Sequence, residues 1–226
     1  MKYLVVAAHP DDEVLGAGGA IYKFMKSGDN IDLAVMCAEA NARANKPANE
    51  ELKKDMQESA KLLGINNIYE GTFPNIEMNN VSHLQLVQFI EKAIIESKPD
   101  IIITHHPADT NDDHRQTSVS CQAAIRLFQR RNDVKPVNEV WYMEVPSSTD
   151  WAIDSSLHKF NPNTFVEIGE AGLKQKINAL NAYRGVMRDY PHPRSVENLS
   201  GLAAYRGAQA GLMYAEAFEC VFKRIA

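Results

Sequence analysis

The chain has 226 residues, 45% hydrophobic and 23% charged, which suits a globular protein with the core of one α/β domain. Its net charge of −5, with no basic block or aromatic-interleaved Lys/Arg stretch, excludes a nucleic-acid surface, and no apolar run approaches the ~20 residues that span a bilayer. Cys37, Cys121 and Cys220 form no close pair, which argues against a disulfide framework or a cysteine zinc knot and points to free thiols in a reducing cytoplasm.

In chain order, "KYLVVAA" (2–8) is short and rich in Val and Leu and predicts a buried strand. The apolar run meets acid at once, so it does not read as a signal peptide. A turn over 9–16 and a helix from about Ala17 to Ser27 follow, with Gly28 as its stop. "IDLAVMC" (31–37) predicts a second strand, and a polar loop runs on through Pro47. Leu52, Met56, Ala60 and Leu63 recur at helical spacing, with Gly64 ending that helix before a short strand in "NIYEG". Ser82 and Gln85 form a capping-box signal, and Leu86, Val87, Ile90 and Ile94 supply the buried face of the helix that Pro99 closes. "DIIIT" (100–104) has the continuous apolar character of a strand buried on both faces. A helix from about Gln116 to Arg130, a strand in "NEVWYMEV", helical patterns over 172–187 and 196–210, and a terminal segment "YAEAFECVFKR" complete the chain. Strands alternating with helices imply a mostly parallel, Rossmann-like sheet covered on both faces, expected as a single domain over 1–226.

Two polar clusters stand directly after predicted strands: "HPDDE" (9–13) and "HHPADTNDDHRQTS", which starts at His105. Ligands in open α/β sheets bind beyond the carboxyl ends of the strands, so both clusters are expected at one edge. Four of the seven histidines fall within them. Crowded carboxylates repel, and burying them unpaired is costly, so a compensating cation is expected. A divalent metal held by two ligands from the first loop and one from the second would supply it. "GAGG" (16–19) does not open directly from the strand as a dinucleotide fingerprint must, and the acidic run before it would repel a pyrophosphate. Close strand–helix packing accounts for Gly16, Gly18 and Gly19 better.

"AHPDDE" after a leading strand, with "HHPADTNDDHR" downstream, resembles the PIG-L / LmbE-like family of zinc-dependent N-deacetylases. The resemblance runs on through "NPNTFVEI" and "PHPRS" to "YAEAF". It implies removal of an acetyl group from an N-acetylglucosaminyl compound, with release of acetate and a free amine. Carried over by position, it makes His9, Asp12 and His114 the metal ligands and Asp11 the general base. The metal is expected to be Zn²⁺, although a His₂Asp set also suits Fe²⁺. The partner implied is a small amino-sugar substrate, and the resemblance brings trimers or hexamers with it.

The pattern departs at Asn111, where many family members carry a His linked to stabilising or protonating the intermediate. Asn111 can donate a hydrogen bond to substrate but cannot shuttle a proton. His192 in "YPHPRS" is the expected replacement acid, and Arg194 is expected to bind a substrate hydroxyl or phosphate. Asp113 is expected to orient a neighbouring imidazole. Glu13 reads either as a substrate-hydroxyl ligand or as a favourable charge at a helix start, and Arg115 as a contact beside the ligand His114. Glu216 reads as a helix-surface charge, His105 and His106 as structural with a route to the site, and His83 and His158 as surface residues. Two further functions compete: an amidase cleaving a larger acyl group, and a nucleotide-binding protein with an incidental acidic loop.

Overall fold

The structure is a computed structural model, and it describes residues 1–38, 49–153 and 158–225. Most of the polar loop expected through Pro47 therefore lies outside the described residues. Seven strands form one sheet: β1 (Lys2–Ala7), β2 (Asn30–Val35), β3 (Asn67–Glu70), β4 (Ile101–His105), β5 (Glu139–Met143), β6 (Thr164–Glu167) and β7 (Ala215–Lys223). The spatial order is β3-β2-β1-β4-β5-β7-β6. The five strands from β3 to β5 pair in parallel, while β7 runs antiparallel to both β5 and β6.

Side-chain alternation along β1 explains the layers. Tyr3, Val5 and Ala7 face one core with Ile101 and Ile103, under α1 (Asp12–Lys26), α2 (Asn49–Leu63) and α5 (Gly169–Ala182). Leu4, Val6 and Ala8 face the other with Ile102, under α3 (His83–Ser97) and α4 (Asp112–Ala124). The last helix, α6 (Val196–Ala210), leads into β7. Among the described residues no helix is long and apolar enough to cross a membrane.

The chain winds outward from β1 through β2 to β3, then returns to place β4 on the other side of β1. The connections after β1 and β4 thus diverge at their carboxyl ends, and that opens a crevice between them. Both polar clusters are delivered into this crevice.

Two helices start earlier than the sequence pattern indicated. The first begins at Asp12, not near Ala17, and α4 begins at Asp112, not near Gln116. In each case two acidic residues fill the first turn, where the positive end of the helix dipole favours them. Apolar periodicity misses such turns, because acidic residues open them. Ser82 stands at the N-cap of α3, but its side chain makes no capping hydrogen bond. The glycines of α1 permit close packing: a Cβ at Gly16 would lie 2.6 Å from Met143 Sδ, and one at Gly19 2.8 Å from Ile168 Cδ1.

Glu216 is not a helix-surface charge. It lies buried on β7, 2.6 Å from Lys176 Nζ, and accepts from the backbone N–H groups of Gly19 (3.1 Å) and Ala20 (2.7 Å) in α1. Lys176 Nζ also donates to the Leu15 carbonyl at 2.7 Å. One ion pair therefore pins α1 to α5 and β7.

Candidate active site

The turn after β1 is shaped by its own polar groups. Asp12 accepts from the backbone N–H of His9 at 2.9 Å, which closes the turn across Pro10. Asp11 at the helix N-cap has φ of 104°, in the left-handed region that L-residues avoid. Of the four non-glycine residues with positive φ among the described residues, Asp11, Ile76 and Ser147 all line one cavity, and the fourth, Lys98, ends α3. Such conformations cost roughly 1–3 kcal/mol each and persist where surrounding contacts over-determine them, often at functional sites.

Asp12 Oδ2 is the hub of the site. It lies 3.2 Å from His9 Nδ1, 3.1 Å from His114 Nε2 and 3.5 Å from His105 Nε2. The far nitrogen of each flanking imidazole meets another carboxylate. His9 Nε2 is 2.9 Å from Asp113 Oδ2, and His114 Nδ1 is 3.1 Å from Asp109 Oδ2. Asp113 is anchored in turn by the N–H groups of Ile76 (2.6 Å) and Met78 (3.1 Å). Asp109 accepts from Asn111 N and Thr149 Oγ1, both at 2.9 Å, and from the Ser148 hydroxyl.

This arrangement fits a divalent cation. Metal-bound histidines characteristically pass their second N–H to a carboxylate, and here both do. That leaves His9 Nδ1, an Asp12 oxygen and His114 Nε2 facing one another, on three buried residues whose candidate ligand atoms lie within 4.8 Å. A second grouping, His105, Asp109 and His114, meets the same distance limit. There His114 can contribute only by giving up its bond to Asp109 or its approach to Asp12.

The electrostatics agree. Asp11, Asp12, Asp109 and Asp113 are all buried. Burial alone would depress His114, but the Asp12 charge and the hydrogen bonds to Asp109 and Asp12 push it up to about 10. Burial would likewise raise Asp12, yet the His114 charge and the paired imidazoles hold it well below the usual carboxylate range. The site thus retains positive charge wherever it can. His105 is the opposite case. Burial drives it down to about 3, its Nε2 accepts from Ala8 N at 2.8 Å, and its ring stacks on His114 with centroids 3.9 Å apart.

A cavity of about 630 Å³ opens over this cluster. His9, Asp11, Asp12, Asn111, His114 and Arg194 line it. Arg194 Nη1 lies 3.5 Å from Asp11 Oδ2, and its Nε donates to Ser147 Oγ at 3.1 Å. Asn111 caps α4 by accepting from Asp113 N at 3.0 Å, so its amide NH₂ is left to donate.

Three expected site residues lie elsewhere. His192 is exposed and does not line the cavity; its Nδ1 accepts from the backbone N–H of Arg194 at 3.0 Å. Glu13 is buried behind the site, where Tyr183 Oη donates to it at 2.6 Å and Asp11 N at 3.0 Å, and burial pushes it up to about 8. It reaches no substrate. Arg115 does not itself line the cavity; it pairs along α4 with Asp112, which does, at 2.7 Å. Asp109 is the residue that sequence reasoning passed over, although it stands five positions before His114 in the second cluster.

Comparison with known proteins gives a consistent result. The family model "PIG-L: GlcNAc-PI de-N-acetylase" matches residues 4–125. The diacetylchitobiose deacetylase of Thermococcus kodakarensis is 23% identical over 234 residues, covering 97% of this chain and 83% of that protein. A conserved protein of Thermus thermophilus superposes with a TM-score of 0.81 at 24% identity, over 100% of this chain and 97% of its own. The 4-carboxy-2-hydroxymuconate hydratase of Pseudomonas putida superposes with a TM-score of 0.78 at 21% identity, over 100% of this chain and 98% of its own. These structural likenesses show the fold, and the hydratase shows that the fold carries more than one chemistry.

Proposed function

The chain belongs to the PIG-L family of de-N-acetylases, and on that premise we propose a metal-dependent hydrolase that removes the acetyl group from an N-acetylglucosamine-type sugar or conjugate. The residues act as one LmbE-like domain over 1–226, and the substrate is a small molecule. The observation that carries this reading is the set His9, Asp12 and His114, with both imidazoles braced by carboxylates at the floor of an open cavity. These three would hold the cation, which we assign as zinc. When bound, it supplies Lewis-acid polarisation of the amide carbonyl and compensates the buried carboxylates.

The protein's own groups do the rest. Asp11 lies 3.5 Å from the Arg194 guanidinium and faces the cavity, so its carboxylate takes the proton of the attacking water. With His192 outside the cavity, the proton for the leaving amine must come from a group inside it. His9 and His114 serve as ligands, and Asp112 is paired to Arg115. Asp11 therefore returns the proton it has taken. Asn111 donates its amide to the substrate from the cap of α4.

The test is acetate release from N-acetylglucosamine and simple conjugates, before and after chelation. Asp11→Asn is expected to lower kcat by about 10²–10⁴-fold with the metal retained. Undiminished turnover in that variant, or turnover indifferent to chelation, would overturn the assignment.

A further inference from the structure

Asp11 stands where an aspartate ordinarily does something else. It is the N-cap of α1, and a carboxylate at that position usually folds back to accept from a backbone N–H two or three residues on. Asp11 makes no such bond. A residue that caps with its own side chain is extended, whereas Asp11 has φ of 104° and ψ of −25°. Its carboxylate lies instead 3.5 Å from Arg194 Nη1, on the cavity. Its carbonyl still accepts from Leu15 N at 2.9 Å, so the backbone enters α1 as an N-cap must. An L-residue leaves such a conformation unless its surroundings hold it there.

Glu13 does the holding. Its Oε2 accepts from the Asp11 backbone N–H at 3.0 Å, and its Oε1 accepts from Tyr183 Oη at 2.6 Å. A glutamate that reaches back to the N–H of its own helix start is ordinarily a capping device at the third helical position. Three features set Glu13 apart. It is the second residue of α1. It is 1% exposed, so a carboxyl has left water for a bond that a surface side chain makes without that cost. And it is braced from 170 residues away: Tyr183 is buried at the end of α5, and the N–H of the next residue, Arg184, donates to Asp55 of α2 at 3.1 Å. Elements distant in sequence thus converge on one carboxyl that does not line the cavity.

We propose that Glu13, braced by Tyr183, is a positioning residue for the reaction: by binding the Asp11 N–H it keeps the carboxylate of the base in the cavity and off the start of α1. The inference deepens the deacetylase reading and rests on it for the role of Asp11. Without Glu13 the Asp11 N–H loses this acceptor, and Asp11 relaxes to the extended conformation in which its own carboxylate caps α1. The base is then withdrawn from the water it must deprotonate. The contacts of His9 with Asp113 and of His114 with Asp109 do not pass through Glu13, so the metal set stays assembled.

Two readouts on the metal-loaded protein separate this proposal from the reading beneath it. The first is the kinetics of acetate release, with metal content measured alongside. Glu13→Ala is expected to lower kcat about 10²-fold, as a misplacement of about 1 Å at a reacting group does. KM and metal content should stay within about twofold of the parent, since neither substrate nor metal touches Glu13. Glu13→Gln should return kcat to within about fivefold, roughly the worth of one hydrogen bond. Its amide oxygen accepts from Asp11 N, and its NH₂ donates to Tyr183 Oη. Tyr183→Phe should fall between the two. In the Asp11→Asn background, Glu13→Ala should change kcat less than about twofold, because no base is left to position. The second readout is the crystal structure of Glu13→Ala, expected to show Asp11 at negative φ with its carboxylate on the backbone N–H of position 13 or of Val14. If Glu13→Ala fails to fold, Tyr183→Phe takes its place in both measurements. An Asp11 that keeps its φ near 104° and its carboxylate in the cavity overturns the proposal. So do Glu13 and Asp11 losses that multiply, or a loss expressed in KM or metal content. If Asp11 turns onto the helix in the variant but the parent releases no acetate, the positioning of Asp11 stands and deacetylation falls.

Discussion

His9 and His192 each stand beside proline in a turn rich in charge, in "AHPDD" and "PHPRS". Their fates differ. His9 is buried, and each ring nitrogen faces a carboxylate from a different part of the chain. His192 is exposed, and its ring is satisfied by a backbone N–H two residues away. Partial burial and the Arg194 and Arg188 charges hold its pKa below the ordinary value. The first turn leaves a central strand where the sheet reverses its winding, so the loop after β4 closes over it. The second joins two surface helices, and what it sends into the cavity is arginine. A histidine gains chemistry here from what its second nitrogen meets, and strand position decides that.

Three substitutions grade this difference. The largest effect is expected at Lys176, because the Lys176–Glu216 pair pins the helix that begins at the His9 turn. Lys176→Met leaves a buried carboxylate without its cation, and thermal or denaturant unfolding should show a loss of about 3–5 kcal/mol. Next is Asp113→Asn, which replaces the carboxylate on His9 Nε2. Metal affinity measured by competition with a chelator should fall about 10–100-fold with the fold intact. The smallest is His192→Gln. Its kcat is expected to stay within about twofold with an unchanged pH profile, since the ring touches only its own loop. A large loss at His192 together with silence at Asp113 would invert the comparison.

Much of the fold was legible because apolar residues report buried faces. The run "DIIIT" divides between two cores, with Ile101 and Ile103 on one side and Ile102 on the other, as a strand buried on both faces must. Periodicity was silent where acidic residues open a helix, so it missed the first turns of α1 and α4. The antiparallel pair β6 and β7 carries no comparable run, and Glu216 on β7 looked like a surface charge because its partner Lys176 is 40 residues away. Within the site, the residue types and their place after strands pointed to a cation, and the family resemblance supplied the individual ligands. The roles of Asp109, Glu13 and Arg115 depend on side-chain direction within one or two turns of helix or loop, which spacing alone does not encode.

The most direct test of the central claim is the metal content of the purified protein beside that of Asp12→Ala. Asp12 is the group on which both imidazoles converge, so the account predicts about one divalent ion per chain in the parent and almost none in the variant. A parent that takes up no metal after reconstitution, or a variant that binds as much as the parent, would contradict it.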